Sequence, residues 1–346
     1  SLNCPEEVFL AEKLVRMHPW AEMVRFARTG GEANSIAIRI ARASTGREKV
    51  AICGYHGWHD WYLATNLKSE NNLDEHLLPG LSPKGVPRSL SGSVIPFSYN
   101  DLNAIKDIVK NNNLAAIKME VERSNPPKSG FLQGIRELCS NNGIVLIFDE
   151  CTSGFRETFG GLHLKYNVNP DMAIFGKALG NGYAITSVIG KKDIMEAAQK
   201  TFISSTFWTE RIGPTAALKT LEIMEDIKSW EIITEKGNYL RNGWINIAKE
   251  NNLNLEITGI PALSSFRIIS DSFLEYKTYI TQEMLKVGYL AANTCYLSIS
   301  HNNKIIDDYL DKLNNIFKQI SICEREGNID EFLNYPICYS GFKRLN

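Results

Sequence analysis

The chain has 346 residues, of which 44% are hydrophobic and 22% are charged, which is an ordinary composition for a globular protein long enough for two domains. Its formal net charge is −1 at pH 7, so no basic surplus indicates a nucleic acid or an anionic membrane as a partner. Purely apolar runs such as residues 144–148 are far too short to span a bilayer.

The number and spacing of the cysteines argue against a disulfide framework and against a metal site. There are seven, an odd number at irregular spacing, and no two of them form a C-x-x-C pair. A disulfide framework or a metal site is therefore not expected.

Residues 1–20 have the pattern of an amphipathic helix with charges inside it, which is not the pattern of a signal peptide. We accordingly predict a cytoplasmic protein.

Short apolar runs then alternate with helical patterns. The run at 23–27 precedes a helical pattern at 32–44, and another helical pattern lies at 133–141. Further runs have the continuous apolar character of strands covered on both faces, at residues 49–53, 115–120, 144–149, 172–175 and 185–190. This alternation predicts an α/β fold with a mostly parallel sheet.

The pattern changes near residue 225. Charged helical patterns and short strands follow, with a last helix near 304–320. We therefore predict a large domain at 1–225 and a smaller C-terminal domain at 226–346. Residues 70–93 are rich in Asn, Pro, Gly and Ser and have the composition of a long loop, and such loops are often functional.

Four predicted strands are followed by residues that can carry chemistry, and ligands of an open parallel sheet bind beyond the carboxyl ends of its strands. Asp149 lies at the end of one strand, Lys177 follows a second, the motif TGGEAN follows a third, and GYHGW follows a fourth. Each also has an ordinary structural alternative: a solvated acid, a turn lysine, a helix cap or core packing. Together these strand ends offer an anion, an amine, a glycine-rich helix start and aromatic faces.

The motif TGGEAN supports two compatible interpretations. Thr29 and Glu32 have the spacing of a capping box, which satisfies free backbone amides at a helix start. Gly30 and Gly31 would let a phosphate approach backbone N–H groups, where the helix dipole favours an anion.

One cofactor accounts for the combination. Pyridoxal 5′-phosphate requires a lysine that forms a Schiff base with its aldehyde and an acid that keeps its pyridine nitrogen protonated. It also requires an aromatic face and a phosphate site. Lys177, Asp149, Tyr55 and the Gly30–Gly31 pair could supply these functions. The small residues around the lysine in FGKALGNG would leave room for cofactor and substrate.

Several stretches resemble the class III (subgroup II) aminotransferases, nearest their glutamate-1-semialdehyde aminomutase-like members. They are EMVRFARTGGEANSIAIRIARASTGREKV, GYHGWHD, VLIFDECTSGFR, PDMAIFGKALGNGY, STFWTERIGPTAALKTLEIME and LSISHNNKIIDDYLDKL. The match runs from near residue 5 to beyond 320, in matching order and spacing. The resemblance implies fold type I, with a large domain, a smaller C-terminal α+β domain, and a homodimer whose active sites are shared between subunits.

The resemblance also implies roles for single residues. Lys177 would be the Schiff-base lysine and Asp149 the partner of the pyridinium nitrogen, and these two are the predicted catalytic residues. Tyr55 would stack on one ring face and Cys151 on the other, while Thr206 would reach the phosphate in the neighbouring subunit. The full set of predicted cofactor contacts is Gly30, Gly31, Tyr55, His56, Glu120, Asp149, Cys151, Lys177 and Thr206.

The chain departs from the family at three points. TGG stands where the family often has Ser-Gly-Thr, so one hydroxyl ligand is expected to be missing. Thr152 stands where many members have glutamine or methionine. Members usually have a substantial segment before the point where this chain begins, so we expect a truncated start.

These observations predict an aminotransferase that moves an amino group between an amino donor and a keto acid, aldehyde or keto-sugar-like acceptor. An intramolecular glutamate-1-semialdehyde-type 2,1-aminomutase is the alternative among enzymes. A non-catalytic dimer that binds pyridoxal phosphate is the alternative from another class. The substrate is not identified, and Arg123, Arg156 and Arg211 are unranked candidates for binding a carboxylate.

Overall fold

The computed structural model describes residues 3–339 and divides into two compact units. The first runs to Glu122 and resumes over Pro127–Lys228, and the second comprises Arg123–Pro126 and the chain from Ser229. The units thus divide three residues later than the predicted domain boundary, after Lys228, whose left-handed backbone (φ 49°) ends a helix. The outer ends of the predicted domains, residues 1–2 and 340–346, lie outside the described residues.

The first unit contains a seven-stranded sheet in the order β1-β7-β6-β5-β4-β2-β3. Its strands are β1 Met23–Ala27, β2 Lys49–Cys53, β3 Val94–Pro96, β4 Leu114–Met119, β5 Val145–Asp149, β6 Met172–Phe175 and β7 Thr186–Gly190. Its helices are α1 Pro5–Met17, α2 Gly30–Thr45, α3 Asp60–Leu63, α4 Leu102–Asn111, α5 Phe131–Asn142, α6 His163–Tyr166, α7 Lys192–Met195 and α8 Ile212–Ile227. The predicted loop at 70–93 contains only a short 3₁₀ turn, Arg88–Leu90.

Side chains of the sheet alternate between two hydrophobic cores. Along β6, Met172 and Ile174 belong to the core that includes the apolar face of α2. Ala173 and Phe175 belong instead to the core that includes residues of α1 and α8. Because both faces are covered by apolar side chains, the strands appear in the sequence as continuous apolar runs.

The run at 185–190 differs from the other strands in direction. It forms β7, which is antiparallel to both of its neighbours, β1 and β6. Its connection from β6, residues 176–185, is too short for the crossover that a parallel pair needs. Since β1 is antiparallel to β7 in turn, it runs in the same direction as β6. The carboxyl ends of β1, β2, β4, β5 and β6 therefore lie along one edge of the sheet.

The second unit packs three long helices against an antiparallel sheet of order β10-β9-β8. Its strands are β8 Leu255–Thr258, β9 Leu263–Ile268 and β10 Thr294–Tyr296, and its helices are α9 Ser229–Glu250, α10 Phe273–Lys286 and α11 Asn303–Glu326. Phe266 packs between Trp244 and Phe317, with ring centroids 4.9 and 5.7 Å apart. Across residues 3–339, no helix has both the length and the apolar character that a bilayer crossing requires.

Candidate active site

Lys177 lies at the carboxyl edge of the sheet. It begins a 3₁₀ turn, Lys177–Leu179, directly after β6. Its side chain is exposed, and its Nζ donates a hydrogen bond to Thr152 Oγ1 at 2.6 Å. Its φ of 43° is in the left-handed region, which a lysine rarely adopts. Strained backbone of this kind clusters at functional sites, and here it presents an accessible amine.

Asp149 is the last residue of β5 and is only 5% exposed. Its Oδ2 lies 3.1 Å from Lys118 Nζ and 2.9 Å from His56 Nδ1, and its Oδ1 accepts the Cys151 N–H at 3.2 Å. Burial raises the pKa of this carboxyl, but Lys118 and His56 outweigh burial and hold the pKa well below its usual range. Asp149 is therefore ionised near neutral pH, and Oδ1 retains acceptor capacity for a further donor.

His56 is fully buried beside Asp149. Its Nδ1 faces the carboxylate, and its Nε2 lies 3.1 Å from the carbonyl oxygen of Cys53. Burial, with a second contribution from the charge of Lys118, lowers the pKa of His56 to about 4. The imidazole is thus neutral near pH 7 and has one N–H, so it donates to only one of these two acceptors at a time.

Lys118 was not predicted from the sequence. It lies inside β4, paired with Ile52 of β2 and Ile147 of β5, and its side chain has no exposed surface. A buried ammonium is unfavourable without an anion, so the ion pair with Asp149 accounts for its place in a central strand. The available signal was a lone lysine within the apolar run at 115–120.

The start of α2 lies next to the end of β5. The expected capping box is present: the Glu32 N–H donates to Thr29 Oγ1 at 3.2 Å, and the Arg28 N–H donates to Glu32 Oε2 at 2.8 Å. A Cβ added at Gly30 would lie 3.7 Å from Cys151 Sγ. The glycine-rich motif and the Asp149 segment are therefore adjacent in space.

The side chain of His59 fills the space beside Gly31. A Cβ added at Gly31 would lie 2.9 Å from His59 Nε2. His59 Nδ1 is 2.6 Å from Ser35 Oγ, which also accepts the Trp61 Nε1–H at 3.1 Å. An imidazole thus lies beside Gly31, and spacing in the sequence could not reveal this proximity.

Tyr55 and Glu120 follow neighbouring strands, β2 and β4. The Tyr55 N–H donates to Glu120 Oε2 at 3.5 Å, and Glu120 is 9% exposed. The Tyr55 ring packs edge-to-face on Tyr62 at 5.9 Å, and Tyr62 contacts the His56 ring at 6.0 Å in the same manner. The structure therefore brings Tyr55, Glu120 and His56 into one neighbourhood.

The Thr206 segment contacts Arg28, the residue before the TGG motif. Thr206 is exposed and begins the 3₁₀ turn Thr206–Thr209. Arg28 holds this segment by donating to the carbonyl oxygen of Phe207 and by pairing with Glu210 at 2.8 Å. No hydrogen bond described for residues 3–339 joins Thr206 to the other predicted site residues, and its role in a neighbouring subunit stays a prediction.

All three candidate arginines interact with other groups of the chain. Arg211 pairs with Glu6, and Arg123 donates to the Tyr296 hydroxyl at 2.6 Å. These contacts do not rank the arginines as ligands of a substrate carboxylate.

All seven cysteines are free thiols. Burial raises the pKa of Cys151 well above its ordinary value, so a neutral thiol lies beside Asp149. Within the part of the chain that the structure describes, no group of histidine, cysteine and acidic side chains could hold a metal ion.

Comparison with known proteins gives one family. A family model described as aminotransferase class-III matches residues 3–320. The chain is 35% identical over 285 residues to a 3-aminobutyryl-CoA aminotransferase of Cloacimonas acidaminovorans, covering 79% of this chain and 64% of the relative. It is 32% identical over 333 residues to a glutamate-1-semialdehyde 2,1-aminomutase of Methanosphaera stadtmanae, covering 89% of this chain and 77% of the relative. The chain thus spans less than two thirds of the first relative's length.

Solved structures show the same fold. The FumI protein of Sphingopyxis sp. MTA144, in its PLP internal aldimine form, has a TM-score of 0.82 at 24% identity, covering 93% of this chain and 76% of that one. An omega-transaminase from Sphaerobacter thermophilus has a TM-score of 0.81 at 23% identity, covering 93% and 80%. The predicted fold class, the α/β fold type I of these transaminases, is confirmed.

Proposed function

Since the chain belongs to the class-III aminotransferase family, we propose that it is an enzyme that uses pyridoxal 5′-phosphate to move an amino group between an amino donor and a carbonyl acceptor. One observation carries this proposal: an accessible amine, Lys177, and a buried ionised carboxylate, Asp149, lie at the ends of neighbouring strands at one edge of the sheet. An amine that bonds to the aldehyde and an anion that faces the ring nitrogen are the groups that this cofactor requires.

The surrounding residues fit the cofactor. Gly30 and Gly31 lie at the positive end of α2, and no side chain of their own covers their N–H groups, which suits a phosphate. Cys151 adds a neutral thiol 3.3 Å from where a Cβ of Gly176 would lie, next to Lys177. We assign the phosphate to the two glycines, and the ring faces to Tyr55 and Cys151.

The chain's own residues would then act as follows. When bound, pyridoxal phosphate supplies a ring that withdraws electrons from the substrate α-carbon. Lys177 Nζ, displaced by the substrate amine, would accept the proton from that carbon and would deliver it to the carbon that carried the aldehyde, as general base and acid. Thr152 Oγ1, 2.6 Å away, orients this amine. Asp149 presents a negative charge to the ring nitrogen, and Lys118 and His56 hold the carboxylate at Oδ2.

A 2,1-aminomutase is the second candidate, because the relatives at 29–32% identity carry that name. Such an enzyme returns the amino group to the neighbouring carbon of the same molecule, whereas an aminotransferase passes it to a second molecule. An amino group that reaches a separate acceptor, added after the donor has been removed, therefore supports the aminotransferase.

We further propose a cytoplasmic homodimer with shared sites, in which Thr206 contacts the phosphate bound by the neighbouring subunit. Large apolar side chains near the site segments support a subunit interface: Trp58, Phe202 and Phe207 are 71%, 83% and 57% exposed. The donor and the acceptor are small molecules.

The test is a half-reaction followed by absorbance. Protein loaded with pyridoxal phosphate is mixed with single amino donors in the absence of an acceptor. We expect the absorbance of the lysine-bound cofactor to disappear with a competent donor and to return with a carbonyl acceptor. A bound cofactor whose spectrum does not change across a broad panel of donors would favour a non-catalytic binding protein instead.

A further inference from the structure

Lys118 and Asp149 form an ion pair that is almost completely enclosed. Their side chains are 0% and 6% exposed, and Nζ lies 3.1 Å from Oδ2. The Lys118 backbone is held between β2 and β5, and every residue of β4 is buried. The carboxylate assigned to the ring nitrogen therefore already has a cation of its own.

The charges of this cluster balance before any ligand binds. Asp149 and Lys118 are the two members of one buried ion pair, while His56 is neutral because burial lowers its pKa to about 4. The pKa of Lys118 is lowered, because burial outweighs the opposing effect of the carboxylate beside it. A second cation at Asp149 would leave an unbalanced positive charge in a buried cluster, which is unfavourable.

Two further titratable groups, Cys151 and Glu120, act on Lys118, and Lys177 acts on Cys151. Cys151 is a neutral thiol, because burial raises its pKa. The charge of Glu120, which follows β4, favours the protonated form of Lys118. Lys177 adds a positive charge that stabilises the thiolate of Cys151. In the loaded protein the Lys177 amine would be bonded to the cofactor aldehyde, so its free ammonium charge would no longer act on the cluster, whereas the charge of Glu120 would.

We propose that Lys118 lowers the proton affinity of the cofactor's ring nitrogen at Asp149, and so sets how strongly the bound ring withdraws electrons. This inference rests on the proposed function, because the nitrogen is that of pyridoxal phosphate. A carboxylate that is shared with an ammonium stabilises a pyridinium less than a carboxylate without such a neighbour. Lys118 is thus a positioning residue that acts through Asp149.

The test is a pH titration of the protein loaded with pyridoxal phosphate that carries ¹⁵N at the ring. The ¹⁵N chemical shift reports protonation of this nitrogen without any turnover. Lys118→Met removes the charge and keeps the stem, and Lys118→Gln keeps an N–H donor. In both variants we expect the protonation midpoint to rise by at least about one pH unit, a tenfold gain in proton affinity. Lys49→Met, an exposed lysine at the start of neighbouring β2, should leave the midpoint unchanged.

Equal midpoints in the wild type and Lys118→Met would overturn the inference. So would a wild-type midpoint in Lys118→Gln, because the hydrogen bond rather than the charge would then be responsible. If Lys118→Met does not fold, as judged by circular dichroism, Lys118→Gln alone decides between these results. A wild-type protein with no resonance from bound cofactor would contradict the proposed function itself, and the role of Lys118 with it.

Discussion

Asp149 has a buried cation as its partner, so its replacement should affect folding as well as catalysis. In Asp149→Asn, Lys118 would keep a buried ammonium without a counter-ion. Removal of one member of a buried pair typically costs about 3–5 kcal/mol. We expect the free energy of unfolding, measured with urea, to fall by that amount, and the half-reaction rate to fall by a factor of at least about 100, since an amide carries no charge to face the ring nitrogen.

The double variant Asp149→Asn/Lys118→Met separates the two effects. It leaves no unpaired buried charge, so it should recover much of the lost stability without recovering the rate. If Asp149→Asn unfolds at the same urea concentration as the wild type, the ion pair does not stabilise the core, and our account of Lys118 is wrong.

Asp149 and Lys177 could be identified from the sequence as candidate site residues, because the residues that follow parallel strands lie along one edge of the sheet. The same reasoning could not lead to Lys118, whose partner lies 31 positions away on the neighbouring strand. A lysine inside an apolar run has no local signature that distinguishes a buried ion pair from an exposed strand edge. His59 beside Gly31 was likewise hidden, since only tertiary packing joins them.

Among the elements, the end of α1 depends on a neutral histidine. His18 Nδ1–H donates to the Leu14 carbonyl at 2.9 Å, because Nε2 accepts the Gly161 N–H at 2.9 Å. Burial lowers the pKa of His18 from 6.5 to about 4. The unfolded chain therefore binds a proton between these pH values that the folded chain does not. Stability should be complete above pH 6.5 and decline towards pH 4.

The measurement is urea unfolding at pH 8 and pH 5. From His18 alone we expect the free energy of unfolding to be about 2 kcal/mol lower at pH 5. His56 changes stability in the same direction, since its pKa is also lowered to about 4. His18→Gln replaces the titrating ring by an amide and should reduce the pH dependence by that amount. An unchanged dependence in His18→Gln would rule out His18 as its source.

The start of α2 combines a cap with the proposed phosphate site, and two variants separate these roles. Thr29→Ala removes the cap and should lower stability by about 1 kcal/mol. Gly31→Ala places a Cβ 2.9 Å from His59 Nε2, so the imidazole must move. We expect its dissociation constant for pyridoxal phosphate, measured by fluorescence, to rise about tenfold, within the roughly 1–3 kcal/mol cost of overpacking. Wild-type affinity in Gly31→Ala would remove this residue from the phosphate site.

Element boundaries were predictable where burial on both faces leaves continuous apolar runs, as in β4, β5 and β6. The direction of β7 was not predictable from the sequence, because an antiparallel strand buried on both faces has the same composition as a parallel one. Its direction depends on the short connection 176–185. The short strand β3 lacks enough residues for a periodic pattern.

For the whole molecule, we predict that Thr206 links cofactor binding to dimer formation. Its side chain is exposed within one chain, as a group that serves a neighbouring subunit requires. Thr206→Val keeps the shape and removes the donor, and should weaken cofactor binding by about 1.5–3 kcal/mol. Added cofactor should shift the wild-type sedimentation equilibrium towards the dimer, and shift Thr206→Val less. A monomer that binds the cofactor as tightly as the dimer would exclude a shared site.

The central claim is that Lys177 carries the cofactor, and borohydride labelling tests it most directly. Borohydride reduces the C=N bond between a lysine amine and the aldehyde carbon of pyridoxal phosphate, which fixes the cofactor to the chain. After digestion and mass spectrometry, we predict the label on the peptide that contains Lys177, and no specific label in Lys177→Ala. Exposed Lys192→Ala should be labelled like the wild type. A label on a different lysine, with the Lys177 peptide unmodified, would contradict the account.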